Sequence, residues 1–167
     1  MKNMVCTIVL ALLCCLIPAA AADVKDRRLA ELDLFWAEVS RSVGDGDFPA
    51  YKGTCHPEGV LVSGIKKTSS PLSVALARWE KEFTATKSGE MKASVAFRFS
   101  QRVGDETTAL ETGIFLYSST APDGKPNQEY IHFEVLLVKK DGHWMTLMEY
   151  QKSKASREEW DALGHGS

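Results

Sequence analysis

The dipeptide Asp141-Gly142 lies between two apolar runs and constrains the fold more than any other feature of the chain. A two-residue hairpin of type I′ needs positive φ at both central positions, and Asp-Gly supplies them at little cost. With these two residues as the turn, Lys140 faces His143. Counting back, Leu136 faces Leu147, Glu134 faces Glu149 and His132 faces Gln151. One face of the hairpin then carries Tyr130, His132, Glu134, Leu136, Val138, Met145, Leu147, Glu149 and Gln151. The other carries Ile131, Phe133, Val135, Leu137, Trp144, Thr146, Met148 and Tyr150, and is almost wholly apolar. A sheet with one solvated face alternates more cleanly than this, so both faces are expected to be partly covered.

The hairpin ends a run of four consecutive strands from Met91 to Ser153. Gly104-Asp105 separates the first two, and pairing Val103 with Glu106 sets Phe99 against Leu110 and Arg98 opposite Glu111. Opposite charges across a strand pair read first as a structural contact. The Pro/Gly stretch Ala121–Asn127 makes the middle connection. Before the strands lie three helices. The first, Val24–Val43, has Leu29, Leu32, Phe35, Trp36 and Val39 at i, i+3, i+4 spacing and stops at Gly44. A short one covers Phe48–Thr54. The third opens at Ser70 with Pro71 at its first position, offers Val74, Leu76, Ala77, Trp79 and Phe83 as apolar positions, and ends at Ser88-Gly89. Val60–Val62 is a short strand between them. The tail 155–167 offers one more helix at Arg157–Leu163, with Trp160 packing back.

Residues 1–22 read as a secretory signal peptide: Lys2, an apolar stretch from Met4 to Ile17, then Ala20-Ala21-Ala22 before Asp23. The apolar stretch is too short for a comfortable membrane span, so no stable anchor is expected after cleavage. The expected compartment is periplasmic or secreted. The remaining 145 residues suit one domain with a real core, residues 23–154, followed by the tail 155–167. They carry 19 basic and 22 acidic residues, a net charge of −3, which gives no footprint for nucleic acid. Cys6, Cys14 and Cys15 leave with the leader, and Cys55 stays as a single buried thiol. The histidines and acids lack metal-ligand spacing, so neither a metal nor a cofactor is expected.

The order helix, short helix, short strand, helix, four long strands resembles the nuclear transport factor 2-like superfamily, to which the SnoaL-like domains belong. The residues that carry the resemblance are Gly46-Asp47-Phe48-Pro49-Ala50-Tyr51, His56-Pro57-Glu58-Gly59-Val60-Leu61-Val62-Ser63-Gly64 and Gly142-His143-Trp144. The resemblance implies an α+β cone in which three helices pack on a curved antiparallel sheet, and a homodimer joined through the outer sheet face. Ketosteroid isomerase, one member, provides a residue test. Its oxyanion tyrosine corresponds here to Val39, its general base to Ser63 and its protonated aspartate to a position near Glu134, so that isomerase chemistry is not supported.

Function is therefore expected from the cone. The leading expectation is an exported protein that holds a small apolar molecule, with Tyr51, Trp79, Tyr130, His132 and Gln151 as ligand contacts. Glu134 and Glu149, expected face to face, are the candidates for acid/base work, because two close carboxyls in apolar surroundings shift apart in pKa. The rival expectations are a hydrolase, dehydratase or isomerase, and a non-catalytic dimeric association module.

Overall fold

The computed structural model describes residues 17–164. Ten elements follow in order: α1 (Ile17–Asp45), α2 (Phe48–Gly53), β1 (Cys55–Ser63), β2 (Thr68–Pro71), α3 (Leu72–Ser88), β3 (Lys92–Gly104), β4 (Thr108–Thr120), β5 (Pro126–Lys140), β6 (His143–Lys154) and α4 (Arg157–Ala162). The leader assigned to residues 1–22 lies mostly outside the described residues. No helix among the described residues is long and apolar enough to cross a membrane.

The six strands form one curved sheet in the order β2-β1-β6-β5-β4-β3, and the expected α+β cone is the observed architecture. Every pairing is antiparallel except that of β1 with β6, which is parallel. The short strand expected at Val60–Val62 thus extends to Cys55–Ser63. The chain then folds back, so that Ser69-Ser70-Pro71 forms the paired β2 rather than a serine cap, and Pro71 takes the N-cap position of α3. The buried side chains of α3 are Leu72, Ala75, Leu76 and Phe83; Val74 is exposed and Ala77 points outward with it. Gly89 closes α3 in the left-handed conformation.

The apolar stripe of α1 crosses the inner face of the sheet. Leu32, Phe35, Trp36 and Val39 pack with Phe133, Val135, Leu137, Ala109 and Trp144 to make the main core. Trp36 is its wedge. Its ring lies 4.3 Å from Phe97, 5.5 Å from Phe99 and 5.9 Å from Phe133. Its indole N–H donates to the carboxylate of Glu111, which is fully buried on β4. Arg102 donates from Nε to the same carboxylate and from Nη1 to Asp33 on α1 at 2.6 Å.

That ion pair is not the expected one. The loop after β3 is wider than two residues, because Asp105 Oδ1 accepts from the backbone N–H groups of Thr107 and Thr108 at 2.8 and 2.9 Å. Val103 accordingly pairs with Leu110 rather than Glu106, and Arg102 rather than Arg98 sits opposite Glu111. A bulge between Phe99 and Gln101 then sets Phe99 against Gly113. A Cβ on Gly113 would lie 2.0 Å from the Arg98 carbonyl oxygen, so the strands close up there only because the residue is glycine.

The Asp141-Gly142 turn is the expected type I′, with φ of 52° and 81°. The register matches the expectation from Lys140↔His143 to Leu137↔Thr146 and then departs from it twice. Leu147 is an extra residue, so Leu136 pairs with Met148, Val135 with Glu149, Glu134 with Tyr150 and Phe133 with Gln151. Lys152 is a second extra residue, so His132 pairs with Ser153 and Ile131 with Lys154. Each bulge shifts the alternation by one and exchanges the faces of the residues beyond it. Glu134 and Glu149 are therefore on opposite faces, as are His132 and Gln151.

The outer face carries α4. Its start is a capping box between Ser156 and Glu159, and Trp160 is buried beneath it. Arg98 stacks over the Trp160 ring at 4.3 Å and donates to its carbonyl oxygen at 2.7 Å. The tail thus covers part of the surface on which a second copy was expected to dock.

Two outcomes test this packing. Glu111→Ala leaves the Trp36 N–H without its acceptor and Arg102 with Asp33 alone, and is expected to cost about 3 kcal/mol in urea unfolding. Adding Arg102→Met to that variant is expected to restore part of the loss; an equal or larger loss would show that the pair contributes by packing alone.

Candidate functional site

Between the inner sheet face and the helices lies a cavity of about 670 Å³, well within the range that holds a small molecule. Its deep end is formed by side chains that are buried or nearly so: Trp36 and Val39 from α1, Phe97 from β3, Phe133 and Val135 from β5, and Thr146 from β6. Its rim is formed by exposed charged groups, among them Lys66, Arg78, Glu82, Glu129 and Lys154. An apolar interior with a polar opening is the usual form of a small-molecule site.

The bulge at Leu147 is what gives the interior a polar group. Beyond it, Glu149 and Gln151 join Val135 and Phe133 on the inner face. Gln151 Nε2 donates to Glu149 Oε1 at 2.7 Å. Burial pushes the Glu149 carboxyl above the usual carboxylate range, and the Gln151 hydrogen bond offsets only part of that shift. The cause is desolvation. A facing carboxylate, expected from Glu134, plays no part.

Tyr51 comes into the cavity from α2. This helix is fixed by Asp47, whose side chain accepts from Ala50 N at 3.2 Å, and by Pro49 in its first turn. The Tyr51 ring packs 4.9 Å from Phe83 and 6.1 Å from Trp79, and all three line the cavity. Its hydroxyl makes no hydrogen bond to another described residue. Burial, with the Glu149 charge second, raises its pKa well above the usual tyrosine range, so it is a neutral donor. Cys55 lies beside it, with Sγ 3.6 Å from the Tyr51 carbonyl oxygen. Burial pushes this thiol up to about 12, which makes it a poor nucleophile at neutral pH. His56 Nδ1 accepts from Glu58 N at 3.2 Å and stabilises its own turn.

Of the expected site residues, the fold brings together Tyr51, Trp79, Glu149 and Gln151. It does not bring Glu134, Tyr130 or His132 to them. Glu134 is on the outer face, 3.6 Å from Lys152 Nζ. Tyr130 packs 6.0 Å from the Trp160 ring, and His132 lies 3.2 Å from Glu159. Both therefore serve the docking of α4 rather than the cavity. The position matched to the isomerase's protonated aspartate shifts likewise, because Val135 and not Glu134 faces inward. Val39 and Ser63, matched to the other two isomerase positions, do line the cavity. Among the described residues no group of three or more His, Cys, Asp or Glu is placed to hold a metal ion.

The Glu149 shift has a sign that can be tested. A carboxyl with a raised folded-state pKa makes the folded state bind more protons than the unfolded one, so stability falls as pH rises. The loss begins near the unfolded value of about 4.3 and is complete above the folded value. Glu149→Gln removes it while keeping an oxygen to accept from Gln151. The variant is expected to match the wild type in thermal unfolding at about pH 4 and to exceed it increasingly toward neutral pH. A gap that does not change with pH would show that Glu149 ionises freely.

No protein-family model and no curated protein matches the chain. Solved structures do. A ketosteroid isomerase-like protein from Erwinia carotovora atroseptica superposes with a TM-score of 0.56 at 19% identity, covering 77% of this chain and 97% of that one. A nuclear transport factor 2-like protein of unknown function from Shewanella oneidensis MR-1 gives 0.57 at 15% identity, covering 73% and 96%. ActVI-ORFA from Streptomyces coelicolor gives 0.58 at 14% identity, covering 73% and 93%. At such identities the likeness is one of fold, and the chain has the cone fold of the nuclear transport factor 2-like proteins.

Proposed function

We propose that this protein binds a small, largely apolar molecule inside the cone, with the ligand's polar atom held by Glu149, Gln151 and Tyr51. One observation carries the reading: an open apolar cavity whose interior holds a single carboxyl, Glu149, turned inward by a backbone bulge. A collapsed interior would have favoured an association module. The Tyr51 hydroxyl donates, and the burial that raises the Glu149 carboxyl favours its protonated, donating form, which suits a carbonyl or ether oxygen.

Buried polar groups select strongly, because a ligand that leaves them unpaired loses their hydrogen bonds and gains nothing in return. Binding is read from the fluorescence of Trp36 and Trp79, which both line the cavity. An apolar ketone of fitting size is expected to quench this emission saturably, and its parent hydrocarbon to bind about tenfold more weakly. Ala93→Trp, which fills the cavity from β3, is expected to abolish the effect without unfolding the protein. Binding that survives Ala93→Trp would place the ligand elsewhere.

A second reading is favoured by the same carboxyl. A buried glutamate of raised pKa is a competent general base or acid near neutral pH. The reaction would be a hydrolysis, dehydration or isomerisation run by one carboxyl, with Tyr51 as donor to the developing oxyanion. Glu149→Gln separates the two readings: binding is retained in both, and turnover is lost only if there is an enzyme.

The setting proposed for this activity is outside the cytoplasm, after removal of residues 1–22, and as a homodimer using the sheet surface that α4 leaves open. N-terminal sequencing of exported protein is expected to begin at or near Asp23. Sedimentation at micromolar concentration is expected to give the mass of two chains.

A further inference from the structure

The second bulge of β6 has a chemical effect of its own. Without it Lys154 would face outward; with it, Lys154 pairs with Ile131 and turns to the inner face. The inward side chains of β6 then run from the Glu149 carboxyl through the Gln151 amide to the Lys154 ammonium at the rim. Lys154 lies five positions beyond Glu149 along the strand, roughly 15 Å after allowing for the bulge. Lys66 comes to the same end of the sheet from β1. Ser63 pairs with Gln151, Gly64 N donates to the Gln151 carbonyl oxygen at 2.8 Å, and the turn after Ser63 carries Lys66 to the cavity opening.

The ammonium groups of Lys66 and Lys154 make no ion pair or hydrogen bond with another described residue, whereas those of Lys125, Lys139 and Lys152 each lie within 4 Å of a carboxylate. Two acids share the rim. Glu82 on α3 accepts from the Tyr117 hydroxyl at 3.2 Å, and Glu129 stands on β5 between β4 and β6, two residues from the Ile131 that pairs with Lys154. The rim thus carries the Lys66 and Lys154 ammonium groups at the β1–β6 end, with Arg78 as a further cation on the α3 side.

We propose that the ligand of this cavity is an amphipathic acid, its apolar body in the cone and its anionic head at the rim between Lys66 and Lys154. The inference rests on the cavity reading above and adds the head group to it. It is consistent with the depth of the site, because an extended chain of about 15 Å reaches from the rim ammonium groups to the interior carboxyl. Exposed ion pairs of this kind contribute modestly each, and two acting on one anion select for it.

The test uses the full chain and three probes of one chain length: dodecanoate, dodecanol and dodecyltrimethylammonium, titrated by calorimetry. At low ionic strength dodecanoate is expected to bind about tenfold more tightly than dodecanol, and the cationic probe most weakly. Added salt narrows the gap by weakening dodecanoate alone. The double variant Lys66→Gln, Lys154→Gln is expected to bind dodecanoate no better than dodecanol, with dodecanol affinity unchanged, and Glu129→Gln to strengthen dodecanoate. Dodecanol binding as tightly as dodecanoate to the wild type would overturn the head-group assignment and leave the cavity reading standing. A dodecanoate preference that persists in the double variant would do the same. Failure of all three probes while an apolar ketone still quenches Trp36 and Trp79 would overturn the head-group assignment alone, and failure of the ketone as well would overturn both.

Discussion

Trp36 is the central contact between the helix layer and the sheet. Its ring fills the space between α1 and the inner sheet face, against Phe97, Phe99 and Phe133, and its N–H must find an acceptor there. Glu111 supplies it, and a buried carboxylate in turn needs a cation, which Arg102 provides while also reaching Asp33 on α1. Each member is costly without the others, because a buried polar group left unpaired loses its hydration and regains nothing. The consequence for function is spatial. With α1 fixed at this distance from the strands, the space beyond Trp36 stays open as the cavity instead of closing.

The two bulges of β6 decide what that cavity contains. An unbroken ladder would line it with Met148 and Tyr150 and send Glu149 and Gln151 to the outside. One extra residue at Leu147 exchanges them, and a second at Lys152 brings Lys154 to the rim. A bulge costs a ladder hydrogen bond and is kept where it re-aims side chains. Here both lie on the strand that supplies the interior polar groups, and the inward carboxyl has its proton affinity raised by desolvation alone.

The opposite sheet face is put to a different use. Trp160 seats α4 over Tyr130 and Arg98, and Glu159 meets His132. Residues that share a strand with the cavity wall, one position out of phase with it, thus become part of a tail-docking surface. The same β5 strand serves both layers: Ile131, Phe133 and Val135 look inward, and Tyr130, His132 and Glu134 look outward.

The sequence by itself determined the fold class and most of the elements, though not β2. The helical stripe of Leu32, Phe35, Trp36 and Val39, the Gly89 stop, the Asp141-Gly142 turn and the apolar set Ile131, Phe133, Val135 and Leu137 are all local patterns, and local patterns arise from backbone geometry and side-chain periodicity. It also placed Tyr51 and Trp79 in the candidate site, because their position before the first strand and within the third helix belongs to the fold. What only the tertiary structure decided is register. A bulge has no reliable signature in one strand, since it depends on the partner strand as well, as at Gly113, where a Cβ would meet the Arg98 carbonyl oxygen beside the bulge in β3. Because side chains alternate, a single inserted residue reverses every assignment beyond it. Glu149 and Gln151 thereby parted from Glu134 and His132, and Glu111 found Arg102 in place of Arg98. Lys154 reached the rim by the same means. The chemistry of the cavity is therefore encoded in residue identities that the sequence displays and in a phase that only the paired sheet sets.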